Sequence, residues 1–196
     1  MPRPKGQTLT PQDILDVAII LLEAQGVEKF SINQLAKALA IKPPSLYNHF
    51  DGDLDLRRSI RLSGWQKMTE YCLPDIQSND HPVELIKRTA YKYREFAIDN
   101  PELYLFTTQH SFPSGDYEFN ILIQKTLDIY LTMLIPFGIG KDRIRHAVRL
   151  LHAAIHGFLG NELLGVFTET ESTADSFEWM VEHLVGSLLP AQSIDT

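Results

Sequence analysis

The sequence predicts an all-α protein, and three observations lead there. Apolar residues recur at helical spacing along most of the chain, proline and glycine divide it into helix-length segments, and strict strand-type alternation never persists between hairpin turns. Nine helices follow, grouped as a three-helix N-terminal unit and a longer helical bundle, with no internal repeat.

Thr10-Pro11-Gln12-Asp13 reads as a helix start: a hydroxyl N-cap, a proline in the first turn and an acid near the positive helix end. Ile14, Ala18, Leu21 and Leu22 carry its apolar face, and Gly26 ends it. Ser31, with Gln34 three residues on, opens a second helix whose inner face is Ile32, Leu35, Ala36 and Leu39. The Lys42-Pro43-Pro44 break precedes a third helix over 45–50, too short to stand alone. A fourth, from Asp53 to near Pro74, is marked by Leu54, Leu56, Ile60, Leu62, Trp65 and Met68. Helices over 82–99, 101–110, 116–135, 141–164 and 173–189 complete the pattern.

Composition excludes several classes. With 44% hydrophobic and 22% charged residues, the chain can build a core and is neither disordered nor fibrous. No apolar run approaches the ~20 residues of a membrane span, and MPRPKGQTLT has no apolar region behind its basic charges, as a secretory leader would. Cys72 is the single cysteine, so no internal disulfide or thiolate metal cluster can form, and a cytoplasmic location is expected. The net charge of −7 is unevenly spread: residues 1–70 sum to +1 and residues 71–196 to −8. That permits a polyanion partner at the N-terminal end.

Three short helices with a tight turn between the second and third have the proportions of a helix-turn-helix, which must hold one helix proud enough to enter a DNA major groove. Leu46 and Phe50 would pin that helix. Lys42, Pro44, Ser45, Tyr47, Asn48 and His49 then point outward or sideways, as donors and rings suited to phosphates and base edges.

The run Thr10-x3-Ile14-Leu15-x2-Ala18, Gly26, Ser31-Ile32, Leu35-Ala36, Ile41-Lys42-x2-Ser45-Leu46-Tyr47-Asn48-His49-Phe50 resembles the N-terminal domain of the tetracycline repressor (TetR) family over about fifty residues without a gap. The resemblance implies a helix-turn-helix DNA-binding domain over 1–53, which includes the start of the connecting fourth helix, and a ligand-binding and dimerisation domain over 54–196. It also implies a recognition helix at 43–49, a homodimer on a palindromic double-stranded operator, and a small-molecule effector, with repression as the family default. By position, Ser31, Lys42, Tyr47 and His49 match backbone-contacting residues, and Pro44, Ser45 and Asn48 fall where bases are often contacted. One departure stands out. Asp53 occupies the place where the family usually carries lysine, exchanging a phosphate contact for a repulsion. Arg57 and Arg58, or Arg3 and Lys5 on an N-terminal arm, are candidates to compensate.

Farther along, His152-Ala153-Ala154-Ile155-His156-Gly157-Phe158, Asn161-Glu162-Leu163 and Ser176-Phe177 are similar to a regulator C-terminal subfamily marked by a Trp-His-Gly motif, here without the tryptophan. The last two helices are apolar on more than one face, which suggests a four-helix dimer interface through Leu151, Ile155, Phe158, Met180, Val181 and Leu184. Aromatic and polar residues of the middle helices nominate Tyr104, His110, Tyr130, His152 and His156 as contacts for a largely apolar effector. The spacing His152-x3-His156 is that of a zinc-protease helix, but Ala153 replaces the catalytic glutamate, so no metal, cofactor or enzymatic activity is expected. Gly64 offers a flexible point in the fourth helix, although a lone helix glycine more often serves close packing, and movement of that helix would change the separation of two recognition helices that must sit about 34–36 Å apart. The alternative function is a helical interaction protein that has lost operator binding.

Overall fold

The structure, a computed structural model, describes residues 9–73, 81–109, 112–113, 115–140 and 142–189. Every regular element among them is helical: α1 (Pro11–Gln25), α2 (Ile32–Ala38), a 3-10 helix η1 (Pro43–Asn48), α3 (Asp53–Cys72), α4 (Pro82–Asp99), α5 (Pro101–Thr108), α6 (Tyr117–Leu134), a 3-10 turn η2 (Ile135–Phe137), α7 (Ile144–Leu163) and α8 (Thr173–Leu188). None is long and apolar enough to cross a membrane.

The described residues fall into two compact units. The first takes the chain to Gln66 together with Asn100–Pro113, and the second takes Lys67–Asp99 and the residues from Ser114 onward. Helix α5 thus belongs with the N-terminal helices, although it follows α4 in sequence.

In the first unit, Thr10 caps α1 in a reciprocal box: its Oγ1 accepts from Asp13 N–H at 3.2 Å while its own N–H donates to Asp13 Oδ2 at 2.8 Å. Ile14, Ala18 and Leu22 are buried from this helix, as are Leu35 and Ala36 of α2, which packs on α1, and Leu46 of η1, which packs on α2. Gly26 ends α1 at φ +84°, where a side chain would be strained. A junction of long sequence range follows. Glu23 accepts backbone N–H bonds from Glu102 (3.4 Å) and Leu103 (2.7 Å), finishing the start of α5, while Glu102 accepts from Val27 N–H at 2.9 Å just past the end of α1. Burial pushes the Glu23 carboxyl above its ordinary value, and the two amide donors partly offset this.

Helix α3 crosses the unit division at Gln66–Lys67, burying Leu56 and Ile60 in the first unit. At Gly64 an added Cβ would collide with Thr107 Oγ1 and touch Leu103 of α5, so this glycine permits close packing of two helices. Of the two roles the sequence offers for it, a flexible point and close packing, the surroundings match the second.

The second unit buries Leu85, Ile86, Met133, Leu134, Phe137, Leu151, Val185 and Leu188 as one apolar cluster. A polar tie joins α4, α7 and α8: Arg94 donates to both Glu162 oxygens (3.1 and 2.6 Å), Thr173 Oγ1 donates to Glu162 Oε1 (2.7 Å), and the Arg94 guanidinium lies 5.7 Å from the Phe177 ring.

Candidate nucleic-acid interface and interior polar cluster

Helix α2 starts on Ser31, whose Oγ accepts from Gln34 N–H (3.4 Å) and donates to Gln34 Oε1 (3.1 Å). The hydroxyl proposed for a DNA phosphate is thus engaged in capping. The turn after α2 closes without glycine: Ala40 sits at φ +55°, its N–H donates to Lys37 O, and Ile41 N–H donates to Ala36 O at 3.0 Å. A left-handed alanine is strained, and sequence inspection gives no sign of it.

Lys42 leads into η1, which spans Pro43–Asn48 as a 3-10 helix; the sequence had suggested a helix over 45–50. Two consecutive prolines open the element and remove amide donors, and six residues are too few for stable α-helical turns. Leu46, 1% exposed, and Phe50 hold it to the unit's core. Tyr47 is 50% exposed, Lys42, Pro44 and Asn48 are also exposed, and Ser45 and His49 are half-buried. Six of the seven sequence-nominated residues lie on one short element or its two caps, Lys42 before it and His49 after it, with two apolar residues beneath.

Asp53 opens α3 and is held by Arg57, whose Nε lies 2.9 Å from Oδ2 and 3.1 Å from Oδ1. The same guanidinium reaches Phe30 O at 3.4 Å and lies 5.6 Å from the Phe30 ring. Arg57 therefore neutralises Asp53 locally and is not free to replace the expected lysine. Arg3 and Lys5 lie outside the described residues.

In the second unit a different set of polar groups is gathered. Tyr93, Tyr130, Thr89 and Cys72 are buried. Burial raises the Tyr130 hydroxyl, an effect that the neighbouring Tyr93 opposes, and raises the Cys72 thiol, which leaves that thiol un-ionised and unreactive. His156 lies edge-on to Tyr93 at 5.0 Å and 4.1 Å from the ring of His152. Burial, with His152 beside it, holds His156 well below the usual imidazole range. His152 leaves much of its residue surface to solvent, yet protein packed round its ring favours the neutral form. Among the described residues no third His, Cys, Asp or Glu joins these two as a metal set. Thr69 and Thr89 bury hydroxyl oxygens that find no protein partner.

Of the ligand contacts nominated from sequence, Tyr130, His152 and His156 come together here. Tyr104 does not: it is fully buried in the first unit. His110 lies outside the described residues. Tyr93, Thr69 and Thr89 were not nominated, because a single buried tyrosine or threonine has no local signature. The dimer-face residues also need correction. Leu151, Ile155 and Val181 are 1–2% exposed within the chain's own core, since the stripes of α7 and α8 that pack on α4 carry them. Phe158, Met180 and Leu184 are half-buried, and the Phe158 ring lies tilted against Phe167 and edge-on to Phe177. The outward faces instead present Leu150, Ala153 and Gly157 on α7, and Trp179, His183 and Gly186 on α8.

Known proteins fit this arrangement. Residues 14–57 match the model of the bacterial regulatory proteins of the tetR family, and residues 86–184 match the tetracyclin repressor-like C-terminal domain. The helix-turn-helix-type transcriptional regulator YobS of Bacillus subtilis is 25% identical over 182 residues, covering 92% of this chain and 93% of that protein. Apo ActR from Streptomyces coelicolor superposes with a TM-score of 0.74 at 18% identity, covering 93% and 96% of the two chains. BioQ with its double-stranded DNA operator superposes at 0.68 with 16% identity, covering 92% and 98%. With both halves matched in order, this chain belongs to the TetR family of DNA-binding transcriptional regulators.

Proposed function

We propose that this regulator is a homodimeric repressor that reads a palindromic operator through Lys42–His49 and is released by a small, largely apolar effector bound among Tyr93, Tyr130, His152 and His156. The functional division is a DNA-binding head over 1–53 and an effector and dimerisation domain over 54–196. The observation that carries the DNA reading is the row Lys42, Pro44, Ser45, Tyr47, Asn48 and His49, presented on an element that Leu46 and Phe50 anchor. Among solved structures of this fold, BioQ is seen with its operator.

The outward faces of α7 and α8 support dimerisation. Trp179 is 64% exposed and stacked on His183 at 3.7 Å, Leu150 is 46% exposed, and Gly157 and Gly186 have open space where a side chain would stand. Large apolar side chains beside small residues suit a close isologous helix pairing. Thr69, Thr89, the two tyrosines and a neutral imidazole offer hydrogen bonds without buried charge, which suits an uncharged polar function on an apolar ligand.

Selection of bound sequences from a random DNA pool at two salt concentrations tests the reading, with Tyr47→Ala as control. A palindromic consensus, bound by wild type, weakened by salt and lost in the variant, is the expected result. Lys42→Ala should lower the salt slope by about one per half-site. Absence of enrichment at either salt would leave the acidic run Asp51, Asp53 and Asp55 as the obstacle and favour the interaction protein that has lost its operator.

A further inference from the structure

The outward faces of α7 and α8 carry a projection and a hollow. The projection is Trp179, 64% exposed and the largest apolar side chain left in water among the described residues of the second unit. The chain's other tryptophan, Trp65, is buried. The hollow is a groove of about 670 Å³ between the turn after η2 and the end of α8. Phe137, Ile139, Leu150 and Leu188 line it, and Arg143 supplies a fixed charge at its rim. Trp179 does not reach this groove in its own chain. Its indole is stacked on His183 at 3.7 Å, and Leu188 lies nine residues, about 13 Å of helix, farther along α8.

A two-fold axis joins the two features. Crossing α8 near His183, midway between Trp179 and Leu188, it would set each indole against the groove of the other copy, twice in one dimer. Charge follows the same exchange. Asp175 and Glu178 flank Trp179, and both are exposed, as is Arg143 at the groove. The ion pairs of the described residues include none of these three, whereas Glu182, the third acid on that side of α8, is taken by Lys87. Gly186, with open space where a side chain would stand, lets the two α8 helices approach beside the axis. A small anionic ligand would use Arg143 and leave Trp179 in water, whereas a second copy uses both. We infer that two copies of this chain lock by reciprocal insertion, the Trp179 indole of each seated in the other's groove, with Glu178 beside the partner's Arg143. The lock rests on the proposed homodimer and specifies its register.

Sedimentation equilibrium of the full-length chain over a dilution series tests the lock. Trp179→Ala and Leu150→Asp, which alter exposed residues and leave the buried core intact, should each weaken the dimer about tenfold or more. Arg143→Glu and Glu178→Lys should each weaken it too, because either reversal sets like charges together twice in a two-fold dimer. Combined in one chain, they should restore the affinity to within about threefold of wild type. Diluting the wild type should shift tryptophan emission to the red as Trp179 enters water, and Trp179→Phe should abolish the shift. Three results overturn the proposal. A dimer as strong in Trp179→Ala as in wild type, with no emission shift on dilution, would leave the homodimer standing and give the groove to another occupant. Charge reversals that fail to restore each other would hold Glu178 and Arg143 apart and break the register. A chain that stays monomeric at every concentration would remove the homodimer itself along with the lock.

Discussion

The two units treat their polar side chains in opposite ways. In the first, Tyr47, Asn48 and Lys42 stand in water on an anchored element, and the residues beneath them are apolar. In the second, Tyr93, Tyr130, Thr89 and the imidazole of His156 are turned inward, where hydrogen-bonding groups are expensive unless satisfied. Outward polarity adds little to folding and can be altered without harming the fold. Inward polarity works against stability, and its retention calls for a reason such as ligand recognition.

Disturbing the anchor beneath the recognition element should have the largest effect. Leu46→Ala is expected to cost about 2–4 kcal/mol of stability and to abolish DNA binding. Tyr47→Ala, one residue on, should leave the melting temperature unchanged and weaken operator binding about tenfold or more, read by thermal melts beside binding titrations. Comparable destabilisation by both would erase the contrast between anchor and display. Next, Gly64→Ala should lose about 1–3 kcal/mol through overpacking against Thr107, measured by denaturant unfolding. A variant as stable as wild type would return Gly64 to the role of a hinge.

The inward groups give pH-dependent and smaller effects. His156 is held neutral in the fold, so the unfolded chain takes up its proton first as pH falls. The stability associated with its neutral form is complete above about pH 6.5 and is lost below it, by up to about 1.4 kcal/mol per pH unit until the folded value is reached. His156→Gln should flatten the wild-type decline of unfolding free energy between about pH 6.5 and 5, and parallel curves would show that the imidazole is not responsible. Thr89→Val replaces a buried hydroxyl lacking a protein partner by a methyl group of similar shape, and should stabilise by about 1 kcal/mol while blunting any effector response. The smallest change is Ala40→Gly: relief of left-handed strain exceeds the added chain entropy by about 0.5 kcal/mol, visible as a slight rise in midpoint.

Local chemistry was legible in the sequence and tertiary choice was not. Helix 82–99 has its predicted bounds, and Thr10 and Ser31 cap their helices as their spacing implies, because each cap depends on residues three apart; the reciprocal box closes at Thr10, whereas Gln34 meets the Ser31 hydroxyl. The third helix was misplaced because two adjacent prolines tighten it into a 3-10 coil starting earlier. Periodicity found the apolar stripes of α7 and α8, but it is blind to whether a stripe meets its own chain or another, so Leu151, Ile155 and Val181 were assigned to the wrong surface. Tyr104 and Tyr130 look alike in sequence and sit in different units. The membership of α5 rests on Glu23 meeting amides 79 and 80 positions away, a separation no local pattern encodes.

That exchange of carboxylates has a consequence for anyone building hybrid regulators. Splicing a foreign effector domain on at residue 53 would carry away Glu102 and Leu103, stranding Glu23 in a partly buried site without its amide donors and Val27 N–H without its acceptor. A graft that travels with residues 100–108 keeps both ends of the exchange. The transplantable piece is therefore discontinuous in sequence, one stretch ending within α3 and a second starting at Asn100.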